Sequence, residues 1–164
     1  MEKHDEKTNA MRLLEQKKIA CGYHFYDGSS VPGAVEVAAM LGQNPARVYK
    51  TLVTVGKSGG HYVFMAPGAK ELDLKKAAKA AGEKSLEMIP QKELLPLTGY
   101  VHGGCSPVGM KKPFRTWIDQ SAEQFETVYF SGGRPGCQIC ADWRALKKLI
   151  RIEQIGRASC RERV

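Results

Sequence analysis

The sequence is poor in the features that mark secreted and membrane proteins. Five cysteines among 164 residues are too few for the disulfide-dense framework of a small secreted domain. No apolar run approaches the roughly 18 residues that a membrane helix requires. The first ten residues are largely charged or polar and do not resemble a signal peptide. We therefore expect a cytoplasmic protein that is not inserted into a membrane.

The sequence also lacks the common catalytic motifs. No G-x-S-x-G elbow joins a strand to a helix, and neither a Walker loop nor an H-E-x-x-H helix is present. His4, His24 and His61 have no partner at a recognisable spacing. The patterns therefore predict neither a serine triad nor a nucleotide-binding loop nor a zinc protease, and we expect no cofactor.

Acidic residues are outnumbered, with 17 Asp and Glu against 25 Lys and Arg and a formal net charge of +8. The last ten residues, 155–164, show neither an amphipathic pattern nor turn residues and resemble a translated sequencing adapter. We therefore predict one domain over residues 1–154 and a non-native tail in place of the natural C-terminus. The tail holds three arginines and one glutamate, so the rest carries about +6. Such an excess is typical of nucleic-acid-binding proteins and also of solvated basic surfaces, and charge alone leaves both open.

Hydrophobic periodicity and turn residues predict a mixture of helices and strands in this domain. Helices are predicted over 8–19, from the loop 27–33 to residue 42, over 73–82, over 90–97 and over 142–150. Strands are predicted over 23–26, 49–55, 61–65, 114–119, 127–130 and 137–141, and the GKSGG turn makes the second and third a hairpin. Because no regular βαβ alternation is present, we predict an α+β fold with a mixed, largely antiparallel sheet surrounded by helices.

Lys50 is the first candidate for chemistry. Strand alternation places it on the same face as Val48, Leu52 and Thr54. A lysine among such neighbours either extends its ammonium group into water from the strand end or forms a cation at a pocket mouth, where it can hold a carbonyl or phosphate group. The pattern alone leaves both open.

Two glycine-rich turns, GGCSPVG at 103–109 and SGGRPG at 131–136, are the second candidates. Glycine lets backbone N–H groups approach a ligand, so either turn could donate to a developing oxyanion. Ordinary hairpin turns explain both equally well. Ser106 and Ser131 are accordingly either hydroxyl donors to a ligand or turn-forming residues.

A zinc site is the third candidate, because His102, Cys105, Cys137 and Cys140 supply two pairs at familiar spacing. Residues three apart on a strand point to opposite faces, so Cys137 and Cys140 cannot both reach one metal ion on a regular strand. No thioredoxin-like βαβ context surrounds this pair either. We therefore predict no metal.

Five motifs in order resemble the YbaK/EbsC family of editing deacylases, over about residues 8–150. They are HFYD at 24–27, RVYKTLVT at 47–54, ELDLKKAAKA at 71–80, TGYVHGGCSPVGMKK at 98–112, and SGGRPG at 131–136. The K-T-L and G-G-x-S-P-x-G elements are the most specific. Cys137, Cys140 and Ala145 depart from the family pattern, near the third strand of the last part of the chain.

The resemblance implies a compact α+β domain with a barrel-like sheet, homologous to the editing insertion of bacterial prolyl-tRNA synthetases. It implies hydrolysis of the ester in mischarged tRNA, with Cys-tRNA(Pro) favoured and Ala-tRNA(Pro) the near alternative. The implied partners are mischarged tRNA(Pro) and prolyl-tRNA synthetase. A non-catalytic tRNA-binding module is the alternative from another class.

The resemblance also implies which residues form the site. Lys50 is the implied catalytic residue. The implied substrate-binding residues are Tyr26, Thr51, Gly103, Gly104, Ser106 and Ser131. No side chain is implied as nucleophile or general base, so the substrate's own thiol, or a ribose hydroxyl with water, would complete the attack.

Overall fold

The computed structural model describes residues 6–156, which form two β-sheets and four α-helices. The strands are β1 (Cys21–Phe25), β2 (Tyr49–Gly56), β3 (His61–Pro67), β4 (Leu86–Met88), β5 (Thr116–Asp119), β6 (Val128–Ser131), β7 (Cys137–Ala141) and β8 (Ile152–Ile155). The helices are α1 (Asn9–Gln16), α2 (Ala34–Leu41), α3 (Leu74–Ala81) and α4 (Gln91–Thr98). Short 3₁₀ helices cover Pro45–Arg47, Gln120–Gln124 and Trp143–Lys148.

The larger sheet has the strand order β4-β2-β3-β5-β8, and the smaller one has the order β1-β7-β6. The smaller sheet is antiparallel, whereas in the larger one β5 runs parallel to both β3 and β8. One parallel bridge, between Val48 and Tyr129, links the two sheets. The predicted α+β class is confirmed. The described strands form two sheets and no closed barrel.

Helix ends follow local capping chemistry. The Thr8 hydroxyl accepts a hydrogen bond from the Met11 N–H and starts α1, and the Asp73 carboxylate accepts from two N–H groups at the start of α3. Helix α1 ends at Gln16 and not at the predicted residue 19, because Lys18 adopts a left-handed conformation with φ 55°. Gly82, at φ 77°, closes α3 as predicted.

Three features of the fold differ from the sequence prediction. Strands β4 and β8 were not predicted, and the C-terminal helix predicted over 142–150 is a 3₁₀ helix. Ile155, assigned to the tail, is the last residue of β8, pairs with Asp119 and is 8% exposed. Residues 157–164 lie outside the described residues, so the non-native tail stays a prediction.

The main core joins both sheets to α1. It packs Leu14 of α1 against Tyr49 and Met65 of the larger sheet and against Phe130 and Ile139 of the smaller one. A second cluster packs Phe64 and Trp117 against α3, with the two rings stacked at 5.1 Å between centroids. Within residues 6–156, no helix combines the length and the apolar character needed to cross a membrane.

Candidate active site

A cavity of about 260 Å³ opens beside the first half of β2. Strand β4 pairs only with Thr54–Gly56, so it leaves the earlier residues of β2 uncovered on that edge. The wall is completed by the segment from Tyr26 to α2, by His102, Gly103 and Cys105, and by the facing ends of β6 and β7. The cavity therefore lies between the two sheets, beside the part of β2 that β4 does not cover.

Thr51 directs its backbone into this open edge. The carbonyl of Val53 accepts from the Ile89 N–H beyond β4, whereas that of Val48 accepts from the Gly68 N–H on the β3 side. Backbone groups on an antiparallel strand alternate between its two edges. The N–H and C=O of Thr51 therefore point away from β3, toward the cavity.

The hydroxyl of Thr51 is buried and has no hydrogen-bond partner in the described structure. An unpaired buried hydroxyl costs about 1–3 kcal/mol. Thr51 lines the cavity, so a bound ligand can supply the missing partner. The other buried threonine of the strand, Thr54, donates its hydroxyl to the Tyr62 carbonyl at 2.9 Å and does not line the cavity.

Lys50 is half-buried and also lines the cavity. Burial lowers the pKa of its ammonium group, and the nearby carboxylate of Glu71 opposes that shift. The cation is thus partly removed from water, which strengthens its attraction for negative charge in the cavity. Lys50 thus lies at a pocket, as the second of the two sequence interpretations expects, and the group that it holds there stays a prediction.

Three other predicted site residues border the same cavity. Tyr26 follows β1, donates its N–H to the Gly136 carbonyl at 3.0 Å, and has a side-chain pKa raised by burial. Ser131 ends β6, and its hydroxyl accepts from the Gly133 N–H at 3.2 Å. Gly103 lies opposite in the loop 102–105 with φ +85°.

Gly104 and Ser106 do not line the cavity. The N–H of Gly104 donates to the Val101 carbonyl at 2.9 Å, so the predicted oxyanion donor is already used in a turn. Ser106 is fully buried, and its hydroxyl accepts from the Val108 N–H at 3.3 Å. The structure therefore gives both residues a local structural contact and places neither at the cavity, and their contact with substrate stays a prediction.

The glycine-rich motifs let three loops approach at backbone distance. A Cβ on Gly104 would lie 2.6 Å from the Arg134 Cα, and one on Gly28 would lie 2.5 Å from the Gly136 nitrogen. The glycines at these positions therefore allow the loops around residues 28, 104 and 135 to form one wall. Close packing explains these glycines better than anion binding does.

Val31 was not singled out from the sequence. It lines the cavity with φ 49°, although a β-branched residue rarely adopts positive φ and the next residue is Pro32. A Cβ added to Gly103 would lie only 2.3 Å from the Val31 Cγ1, so the Val31 side chain fills the space beside this glycine. The positive φ of Val31 opposes residue preference, so no sequence rule indicates it.

Gln138 also borders the cavity without having been predicted. It is 2% exposed and exchanges two hydrogen bonds with the Gln43 side chain, of 2.7 and 3.0 Å. The reciprocal pair fixes β7 to the residue that follows α2. A glutamine in a short apolar strand is the only sequence signal of this role.

The thiols near the cavity are poor nucleophiles. Burial raises the pKa of Cys105 to about 12 and that of Cys137 to about 11, so both are neutral at pH 7. Cys140 contacts the Thr127 hydroxyl at 3.4 Å. Across residues 6–156, no three His, Cys, Asp or Glu side chains are grouped so that they could hold a metal ion.

Comparison with known proteins identifies the family of this fold and cavity. A family model described as the aminoacyl-tRNA editing domain matches residues 29–149, which include the β2 edge and the wall loops at 103 and 131. The chain belongs to the aminoacyl-tRNA editing domain family. The resemblance seen in the sequence motifs is thereby confirmed.

Three proteins of known sequence or structure match most of the chain. It is 47% identical over 138 residues, 84% of each protein, to an Enterococcus faecalis protein named "Putative Cys-tRNA(Pro)/Cys-tRNA(Cys) deacylase EbsC". A crystal structure described as "a putative trans-editing enzyme for prolyl tRNA synthetase" matches with TM-score 0.74 and 27% identity, over 92% of this chain and 98% of the other. The hypothetical protein APE2540, at 21% identity, shares the fold with TM-score 0.79 over 90% and 99% of the two chains.

Proposed function

We propose that this protein is a trans-editing aminoacyl-tRNA deacylase that hydrolyses the ester of Cys-tRNA(Pro). Its family and the name of the Enterococcus faecalis relative support the reaction. The observation that carries the proposal is that a half-buried cation, Lys50, and the unpartnered hydroxyl of Thr51 line the same cavity. Both groups suit a carbonyl that becomes an oxyanion.

In this mechanism Lys50 stabilises negative charge on the ester carbonyl oxygen as the tetrahedral intermediate forms. A preorganised donor of this kind contributes a factor of about 10² to 10³ in rate. The Thr51 hydroxyl and backbone orient the aminoacyl group along the β2 edge. Tyr26, Ser131 and Gly103 form the remaining contacts that hold the ester in place.

The attacking group comes from the substrate or from water. Because the pKa values of Cys105 and Cys137 keep both thiols neutral at pH 7, neither supplies a thiolate. For cysteine, the substrate's own thiol attacks the carbonyl carbon, and its proton goes to the ribose oxygen as that oxygen leaves. Water then opens the resulting cyclic thioester and releases cysteine. For alanine, water attacks the carbonyl carbon with the help of a terminal ribose hydroxyl, and the esterified ribose oxygen leaves with a proton.

The choice between cysteine and alanine depends on how well the cavity fits each amino-acid side chain. One methyl-sized difference in a pocket changes binding by about 1–3 kcal/mol. We therefore expect a preference for the cysteinyl ester together with weaker hydrolysis of Ala-tRNA(Pro). Docking on prolyl-tRNA synthetase and a cytoplasmic location complete the proposal.

The test is release of amino acid from purified Cys-tRNA(Pro) and Ala-tRNA(Pro) by wild-type protein, by Lys50→Ala and by Lys148→Ala. Lys148 is an exposed lysine of the C-terminal 3₁₀ helix and serves as the matched control. We expect wild type and Lys148→Ala to hydrolyse the cysteinyl ester at the same rate. Lys50→Ala should be slower by about 100-fold or more.

Two results would contradict the proposal. A wild-type protein that binds tRNA and hydrolyses neither ester would be a binding module. A Lys50→Ala variant that is as active as wild type would contradict the proposed contact between Lys50 and the oxyanion.

Adding prolyl-tRNA synthetase to the wild-type reaction tests whether it is a partner. Docking should raise the hydrolysis rate at limiting tRNA concentration.

A further inference from the structure

A second groove, of about 450 Å³, lies between α3 and the segment that leads into β4. Its rim carries three exposed lysines, Lys75, Lys79 and Lys84. Leu86 and Ala78 form the apolar floor, and both are buried. The groove is thus a concave apolar surface with positive charge on its rim.

The one acidic side chain that lines this groove is already engaged. Glu83 accepts hydrogen bonds from the Ser58 N–H and hydroxyl and from the Tyr62 hydroxyl, at 3.1, 2.5 and 2.6 Å. These bonds lower the pKa of its carboxyl group and direct it toward the β2–β3 turn. Lys57 is also exposed. Its backbone N–H donates to the Ser85 carbonyl at 3.1 Å, which places it beside the groove.

The groove lies at the opposite end of β2 from the candidate active site. Leu86 pairs with Gly56, the last residue of β2, whereas Lys50 is the second residue of the strand. Six residues of strand span roughly 20 Å, at about 3.3 Å per residue. Stacked nucleotides are spaced about 3.4 Å apart. The groove therefore lies several nucleotide lengths away from the reacting ester.

We propose that the groove formed by Lys75, Lys79 and Lys84 binds backbone phosphates in the acceptor arm of the tRNA whose ester enters the cavity. The inference rests on the proposed function, because it takes the aminoacylated end of tRNA as the occupant of the first cavity. Lysine binds phosphate as a point charge without reading sequence. The groove therefore contributes affinity and orientation, and the cavity contributes the choice of amino acid.

The binding test compares the double variant Lys75→Gln/Lys79→Gln with the control Lys17→Gln/Lys148→Gln. Each pair removes two exposed positive charges, but the control lysines follow α1 or lie in the C-terminal 3₁₀ helix. Binding of uncharged tRNA is measured over a range of salt concentrations. The groove variant should bind on the order of ten-fold more weakly, and its plot of log K against log salt should be shallower by about 1.4 to 1.8.

A kinetic test separates the groove from the active site. The ratio of hydrolysis rates for full Cys-tRNA(Pro) and for cysteinyl-adenosine, which is too short to reach the groove, should fall about ten-fold in the groove variant. Equal tRNA binding and equal salt slopes in the two double variants would overturn the proposal, as would an unchanged rate ratio. If the wild type hydrolyses neither ester, the proposed function fails, and the binding comparison still decides whether this groove holds tRNA.

Discussion

At the scale of single residues, Thr51 and Thr54 differ in one decisive respect. Both present a hydroxyl on β2, but that of Thr54 donates to the Tyr62 carbonyl and that of Thr51 has no partner in the described structure. A hydroxyl that only serves the fold is expected to be paired. The contrast supports the proposal that Thr51 contacts the substrate.

We expect Thr51→Val to stabilise the protein and weaken its catalysis. Removing an unpaired buried hydroxyl should raise the free energy of unfolding by about 1 kcal/mol. Losing the substrate contact should lower kcat/KM by roughly ten-fold. Urea unfolding and deacylation of Cys-tRNA(Pro) measure the two effects.

The matched control for this prediction is Thr54→Val, which leaves the Tyr62 carbonyl without its side-chain donor. Its stability should fall by about 1 kcal/mol while kcat/KM stays at the wild-type value. Thr51→Val losing stability and keeping full activity would mean that Thr51 is an ordinary core residue.

The residues could be predicted from sequence to different degrees. Lys50 could be selected because strand alternation sets a cation beside apolar positions. The sequence could not show whether its ammonium group lies in water or in a cavity. Val31 could not, since its positive φ opposes the preference of its residue type. Gly104 could be selected but its role could not, because glycine that binds an anion and glycine that packs against backbone look alike in a sequence.

At the scale of elements, the wall of the cavity depends on loops packed at backbone distance. We expect Gly104→Ala to lower the free energy of unfolding by about 2–3 kcal/mol, because its Cβ would lie 2.6 Å from the Arg134 Cα. The control is Gly22→Ala in β1, where no atom lies within 4 Å of the added Cβ. Thermal unfolding checks both.

The control should match or slightly exceed wild type, since alanine restricts the unfolded chain. Equal melting temperatures for the two alanine variants would contradict the packing explanation of Gly104. A Gly104→Ala protein that is stable but inactive would restore the oxyanion explanation.

The elements themselves were predictable where local signals agreed. The β2–β3 hairpin and α3 have strong residue preferences, a glycine turn and clear caps, so they appear where expected. Strand β4 has three residues, two of them exposed, and β8 forms by pairing in parallel with β5. Such strands exist through contacts distant in sequence, which no local pattern carries.

At the scale of the whole molecule, truncation near the end of the described chain tests the prediction that the tail is non-native. A protein that stops at Gly156 should keep the melting temperature and the deacylation rate of the full chain. One that stops at Arg151 lacks β8 and the burial of Ile152 and Ile155. We expect it to lose about 3–6 kcal/mol of unfolding free energy, because the burial of two isoleucines no longer contributes.

If both truncated proteins are as stable as the full chain, β8 contributes nothing to the fold. If both are destabilised, residues 157–164 belong to the folded domain and the adapter interpretation is wrong. Calorimetry on the three proteins at one pH and salt concentration distinguishes these results.

The site as a whole was less predictable than the fold class, because its two sides come from different sheets. The motifs indicated which residues to consider but not that β2 loses its neighbour beside Thr51. This part of β2 is uncovered because β4 is too short to reach it, and the uncovered edge leaves room for the cavity.

The pairing of β1 with β7 joins Cys21 to Ala141. Ribosomes add about 5–20 residues per second, so the nascent β1 waits roughly 6 to 25 seconds before its partner strand is made. During that time its edge and the apolar side chains beside it stay available to chaperones and to neighbouring nascent chains. An editing enzyme built in this way becomes active only when nearly all of its own translation is complete.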